Sequence, residues 1–373
     1  MSEAITRRQA FMILNGLPGM GPITLNRLLD LFDGDPVAVL DAPASRLQDA
    51  RRVGAKVADA VRAWREHFPL EREEERLAQA GATFVTSRDD DYPASLKEIH
   101  DPPIGLYFRG GYRLTNRCVG IVGSRRATLY GRAVAKKLGS ELARLGFCVV
   151  SGLARGIDTE AHEGALSVDG KTVAVLGCGL DIIYPPENLE LYRRIADTGA
   201  VISEFPFGRR ADKQTFPMRN RVVAGLCEAI IVVETDTTGG AMITARFAAD
   251  LGRLVFAVPG RIDQPTSRGC HQLIRDGATL LMSVDDVLSE LNYLGGMHQQ
   301  PVASTEGGLV VPEDLSDDEA AVFECFRGGS VLGPDAISGL SGRGIAEVSA
   351  TLMMLELKKL IRKRSDGTYE LAA

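Results

Sequence analysis

The segment VGIVGSRRATLYGRAVAKKLGSELARLGFCVVSGLARGID, residues 119–158, decides the fold. It opens on an apolar run, Val119–Gly123, breaks at Gly123-Ser124-Arg125, and continues as an amphipathic stretch, Tyr130–Leu145. A second apolar run, Cys148–Ser151, leads into a second glycine-rich turn, Ser151-Gly152-Leu153-Ala154-Arg155-Gly156. A strand apolar on both faces, a helix, and another such strand make the pattern of a parallel sheet covered on both sides. The alternation recurs further along the chain. Strands are expected at Thr172–Gly177, Ala200–Glu204, Ala229–Glu234 and Leu254–Val258, with a helix at Ala241–Leu251. The expected class is α/β, a doubly wound, mostly parallel sheet. Ligands of such sheets bind at the carboxyl ends of the strands. The unusual motifs of this chain fall at those ends.

The turn Gly123, Ser124, Arg125 opens a helix near Thr128. N–H groups at a helix start favour an anion. Ser124 adds a hydroxyl donor and Arg125 a charged, bidentate one. A plain tight turn uses glycine equally well. The turn is not G-x-G-x-x-G, and no acidic reader of a ribose stands about 20 residues on, so a nicotinamide dinucleotide is disfavoured. Ser151, Gly152, Arg155 and Gly156 repeat the design after the next strand, and Asp158 reads as the cap of the following helix. Ser151, Asp158 and His162 lie within one short stretch, but no G-x-S-x-G elbow presents the serine, so no catalytic residue is assigned. Asp181 and Asn188 read as orienting a third loop. The densest cluster is FPMRNRVVAG, residues 216–225. Arg209, Arg210, Lys213, Arg219 and Arg221 face a single acid there, Asp212, so the local potential is positive. Asn220 stands between the two arginines of the cluster. Gly239 and Gly240 open one more helix and offer further backbone donors.

The flanks read differently. Residues 1–82 form short helices. Leu17-Pro18-Gly19-Met20-Gly21 has the form of a helix-hairpin-helix turn, echoed by Val53-Gly54-Ala55-Lys56-Val57. Such glycines let N–H groups face a phosphate, or simply stop a helix. Residues 83–290 carry the sheet, and 291–314, rich in Gly, Gln, Pro and Ser, form a linker. Residues 315–373 hold three helices and then a hairpin turning at Asp366-Gly367, the order of a winged helix. An apolar stripe of Val284, Val287, Leu288 and Leu291 offers either a self-contact face or ordinary core.

Composition sets outer limits. The 373 residues carry a net charge of −6, which excludes a protein basic throughout but not a local basic groove. The 6 cysteines include no C-x-x-C and no zinc spacing, so they are expected as buried thiols in a reducing, cytoplasmic compartment, with no metal. No apolar run reaches the length of a membrane span.

Taken in order, VGSR, SGLARGID, VLGCGLDIIYPPEN, ISEFPFG, FPMRNRVVAGL, VVET…TGGAMITARFA and VFAVPG resemble the DNA-processing protein A family, also called Smf. The resemblance covers residues 83–290, and the two flanks are similar to those of longer members. It implies an extended Rossmann fold that binds single-stranded DNA without catalysis or cofactor. It further implies a homodimer that receives DNA in natural transformation, protects it, and helps load the RecA recombinase over single-strand-binding protein. The phosphate-contacting set is then Gly123, Ser124, Arg125, Ser151, Gly152, Arg155, Gly156, Lys213, Arg219, Asn220, Arg221, Gly239 and Gly240. Two alternatives compete. One is a nucleotide or sugar-phosphate hydrolase on a related fold, against which stands the missing acid of a PGGxGTxxE pattern near Thr238–Thr244. The other is a ligand-sensing winged-helix regulator.

Overall fold

A computed structural model of the protein describes residues 4–114, 117–295, 315–326, 332–358, 360–363 and 368–371. The chain divides into two compact units, Met1–Met297 and His298–Ala373.

The first unit is built on a sheet of β1 (Ala82–Thr86), β2 (Gly105–Arg109), β3 (Cys118–Val122), β4 (Cys148–Ser151), β5 (Thr172–Leu176), β6 (Ala200–Ser203), β7 (Ala229–Val232), β8 (Leu254–Ala257) and β9 (Thr279–Leu280). The spatial order is β1-β2-β6-β5-β4-β3-β7-β8-β9. From β6 to β9 all neighbours are parallel, whereas β1 and β2 add an antiparallel edge. Every residue of β3 to β7 is buried, as runs apolar on both faces require. The chain runs from β3 through β4 and β5 to β6, then returns to lay β7 on the other side of β3. That reversal opens a crevice at the carboxyl ends of β3, β4 and β7.

Helices cover both faces. Leu129–Arg144 and Ile157–Leu166 pack Ala135, Leu138, Leu142, Ile157 and Ala161 against Val119, Ile121 and Val149. Thr215–Leu226 and Gly240–Asp250 cover the other face with Val222, Val223, Ala241 and Ala245. The helix Val284–Gly295 takes the first residues of the expected linker. Its Val284, Val287 and Leu291 are buried in core, so this stripe is not a self-contact face.

The helical segment before β1 shares its core with the sheet. Phe11, Leu14 and Trp64 belong to one cluster with Phe84, Tyr107 and Leu176. Two polar ties reinforce it: Asn15 donates to the Glu204 carbonyl at 2.8 Å, and the Phe207 N–H donates to Glu73 at 2.9 Å. In the first hairpin Gly19 takes φ +74°, a left-handed conformation that favours glycine, beside Val57 of the second.

The second unit has helices Asp317–Glu324, Pro334–Ser341 and Ile345–Leu357, then β10 (Ile361–Lys363) paired antiparallel with β11 (Tyr369–Leu371). Val322, Phe326, Ile337, Val348, Leu352, Leu355 and Ile361 form its own core. This is a winged helix. Residues 296–314 of the expected linker and the Asp366-Gly367 turn lie outside the described residues. Among the described residues, no helix is long and apolar enough to cross a membrane.

Candidate nucleic-acid interface

The crevice is a cleft of about 430 Å³, lined by Gly123, Ser124, Arg125, Arg126, Asp158, Phe216, Arg219, Asn220, Gly240 and Thr244 among others. The turn after β3 forms one wall. The Ser124 N–H donates to the Glu234 carbonyl at 2.6 Å, and the Ser124 hydroxyl accepts from the Arg126 N–H at 3.0 Å. A side chain at Gly123 would collide with Ile157 and the Glu234 carbonyl, so only glycine lets the three loops meet. Gly156, at φ +77°, gives the same close approach to the Ser124 carbonyl.

Two helix starts behave differently from expectation. At Leu129–Arg144 the buried Glu234 carboxylate accepts from the Thr128 N–H at 2.9 Å and from its hydroxyl at 2.6 Å. The chain's own anion therefore sits at that helix start. Asp158 does not cap its helix, whose N-cap is Gly156. It folds back to accept from the N–H groups of Gly152 at 3.1 Å and Ala154 at 3.4 Å. By contrast, Gly240–Asp250 begins at Gly239 with no side-chain cap, and Gly240 lies on the cleft wall. Its first N–H groups are the backbone donors the cleft offers.

The arginines of FPMRNR separate because residues two apart on a helix point about 200° apart. Arg219 is 6% exposed and forms the cleft floor. Its Nη1 donates to the Val175 carbonyl at 3.2 Å and lies 3.9 Å from Asp158 Oδ2, while its buried Nε has no partner among the described residues. Burial lowers the Arg219 pKa against the attraction of Asp158, and burial raises that of Asp158. Gly152 makes room for this side chain, since a Cβ there would overlap the guanidinium. Arg221 faces elsewhere. It pairs with the buried Glu204, lies 3.3 Å from Asp101 Oδ2, and donates to the Asp101 carbonyl at 2.8 Å. It holds the sheet domain together and is removed from the cleft set.

Other expected contacts fall outside the cleft. The Ser151 hydroxyl donates to the Ile121 carbonyl at 2.6 Å and is buried. Arg155 pairs with Glu187 on the surface. Lys213 is exposed near the Arg209–Asp212 pair, and Gly239 packs on Thr235. Asp181 and Asn188 do orient loops: Asp181 accepts from the Gly208 N–H at 2.8 Å, and Asn188 donates to the Leu153 carbonyl at 2.9 Å. The serine, aspartate and histidine of the second loop make no triad. His162 Nδ1 pairs with Thr172 Oγ1 at 2.7 Å, and burial pushes its pKa down to about 3.

The aromatic wall is a feature that charge counting missed. The Arg125 guanidinium lies 4.6 Å from the Phe216 ring centroid, and the Tyr184 ring stands 5.9 Å from it, tilted. An aromatic beside an exposed arginine, over a buried one, suits a ligand carrying both negative charge and flat rings. The phenylalanine at the head of FPMRNR was the available signal.

The model of the family described as DNA recombination-mediator protein A matches residues 83–292, and that of the DprA winged helix domain matches residues 310–367. Protein Smf of Synechocystis sp. is 34% identical over 384 residues, covering 94% of this chain and 96% of its own length. DNA processing protein DprA of Bacillus subtilis is 36% identical, covering 74% of this chain and 93% of its own. The solved DprA of Streptococcus pneumoniae superposes with a TM-score of 0.66 at 33% identity, over 77% of this chain and 99% of that one. A DprA structure from Helicobacter pylori, described for its unique single-stranded DNA binding mode, gives a TM-score of 0.51 at 32% identity, over 57% and 96%. A family match over more than half of the chain, joined to a relative spanning nearly all of it, means that the chain belongs to the DNA recombination-mediator protein A family.

Proposed function

We propose that this chain binds single-stranded DNA in the cleft at the carboxyl ends of β3, β4 and β7. The observation that carries the reading is Arg125 stacked on Phe216 above the buried Arg219. Phosphates lie against Ser124, Arg125, Asn220 and the free N–H groups at Gly240. A base lies on the Phe216–Tyr184 wall, where unstacked bases of a single strand fit and paired ones do not. Residues 83–295 hold the strand, 1–82 brace the sheet edge, and the rest of the expected linker joins this unit to the winged helix of 315–373.

In the cell the protein acts as a homodimer in the cytoplasm. It receives incoming strands during natural transformation, protects them, and passes them to RecA recombinase past single-strand-binding protein. It works by binding rather than by chemistry. Family membership supports this role, and so does the binding of single-stranded DNA by the Helicobacter pylori relative.

Competition between single- and double-stranded oligonucleotides of one sequence, across a salt series, tests the binding. Preference for the single strand, with affinity falling as salt rises, is expected. Equal binding of the duplex would sink the single-strand reading. For the later step, RecA assembly on strands coated with single-strand-binding protein should accelerate when this protein is added. No acceleration would remove the loading role.

A further inference from the structure

The winged-helix unit carries a helix that is apolar on two opposite sides. Ile345–Leu357 buries Val348, Leu352 and Leu355 in its own core. On the opposite side Ala346, Ala350, Met353, Met354 and Leu357 are exposed. Met353 and Leu357 keep 64% and 69% of their surface in water. These five positions span about 100° of the helix, as wide as an ordinary core-facing stripe. A helix apolar on both sides is normally covered on both.

In a helix-turn-helix arrangement this third helix is the one that enters the DNA groove. Here its exposed face presents methyl and thioether groups, and the charges lie on its flanks, Glu347 and Glu356 with Lys358 at the helix end. A stripe without hydrogen-bond donors lacks the groups that read base edges or hold phosphates.

We propose that the face packs against the same face of a second copy, as an antiparallel helix pair about a two-fold axis. The stripe is self-complementary only in that direction. Its small residues, Ala346 and Ala350, lie toward one end and its large ones, Met353, Met354 and Leu357, toward the other. Antiparallel pairing sets Ala346 against Leu357 and Ala350 against Met353, small opposite large, at both ends of the contact. Parallel pairing sets alanine against alanine and methionine against methionine, which leaves a void beside a clash.

Charge agrees with the same direction. Glu347 and Lys358 lie on one flank, three turns apart. Antiparallel pairing brings Glu347 of each copy toward Lys358 of the other, where Lys358 already bonds Glu319 of its own chain at 2.9 Å. The opposed helix dipoles add to this. Five side chains per copy fall well short of the roughly 20–30 residues that a stable interface takes from each partner. The contact is therefore weak by itself and forms at high concentration, or between copies already joined elsewhere.

Site-directed cross-linking of the full chain tests the register. Ala350→Cys and Met353→Cys are made in separate chains, and wild type, with its 6 cysteines, gives the background. Under mild oxidation the mixture should form the interchain disulfide at least tenfold faster than either variant alone. Adding Leu357→Glu, at a position the fold leaves in water, should abolish that preference with an unchanged melting temperature. The proposal is overturned if the mixture cross-links no faster than the single variants, if either variant alone is the faster, or if Leu357→Glu leaves the rate unchanged.

Discussion

The guanidinium of Arg125 lies 4.6 Å from the ring centroid of Phe216, so the turn after β3 and the helix Thr215–Leu226 meet across the mouth of the cleft. The pairing joins the charge that a phosphate seeks to the flat surface that a base seeks. It exists because β3 lies beside both β4 and β7, leaving the crevice open at the reversal of strand order.

Phe216 and Arg125 should be separable by their salt dependence. Phe216→Ala removes a stacking surface worth about 1–3 kcal/mol but no charge. Single-strand affinity should fall about five- to hundredfold while the slope of log affinity against log salt stays at the wild-type value. A flattened slope in Phe216→Ala would show that the ring acts by positioning Arg125 rather than by stacking.

Arg221 is expected to matter for folding and not for DNA. Its loss leaves Glu204, 7% exposed, without its cation. Breaking one side of a buried pair costs about 3–5 kcal/mol. Arg221→Ala should therefore show a clearly lower denaturation midpoint, and the molecules that remain folded should bind single strands with normal affinity and salt slope. A stable Arg221→Ala protein with weakened binding would return this residue to the cleft.

These contrasts mark how far the sequence could be read. The apolar runs of β3 to β8 and the glycine turns after them stand out, because strands buried on both faces admit little else. The flanking strands β1, β2 and β9 do not. Ala82–Thr86 mixes threonine with apolar residues, and Thr279–Leu280 is too short to carry a pattern. At the site, Arg219 and Arg221 are indistinguishable by composition, since helical phase decides which one reaches the cleft. The role of Glu234 was likewise hidden. A glutamate ending a strand shows nothing of the helix start, 106 positions away in sequence, that it satisfies.

His162 should make the fold sensitive to acid. Burial, and then the charge of Arg219, push its pKa down to about 3. The unfolded chain takes up a proton near the ordinary value of about 6.5, which the folded chain refuses. The stabilisation is present above that value and is lost as pH falls, by about 1.4 kcal/mol per pH unit. Denaturant titrations between about pH 6.5 and 5 should show a slope in the wild type that is shallower by this amount in His162→Gln. Equal slopes would mean that the imidazole titrates normally in the folded protein.

The winged-helix unit should be dispensable for strand binding. A chain ending at Met297 keeps every residue of the cleft and every strand of the large sheet. It should melt cooperatively and bind single strands within about threefold of the full protein, a difference below 1 kcal/mol. If it folds with its normal circular dichroism but fails to bind, the strand lies elsewhere.

The cleft itself is tested most directly by fluorescence anisotropy of a mixed-sequence single strand across a salt series, comparing wild type with Arg125→Ala. Arg125 is exposed, so its loss should leave the melting temperature unchanged. Removing one charged hydrogen bond to phosphate, worth about 1.5–3 kcal/mol, should weaken binding about ten- to hundredfold. The salt slope should flatten by about 0.7, the share of a single phosphate. The loss should be the same for every base sequence, because phosphates carry none. Wild-type affinity and wild-type slope in a normally melting Arg125→Ala protein would contradict the account, because DNA would then not lie in this cleft.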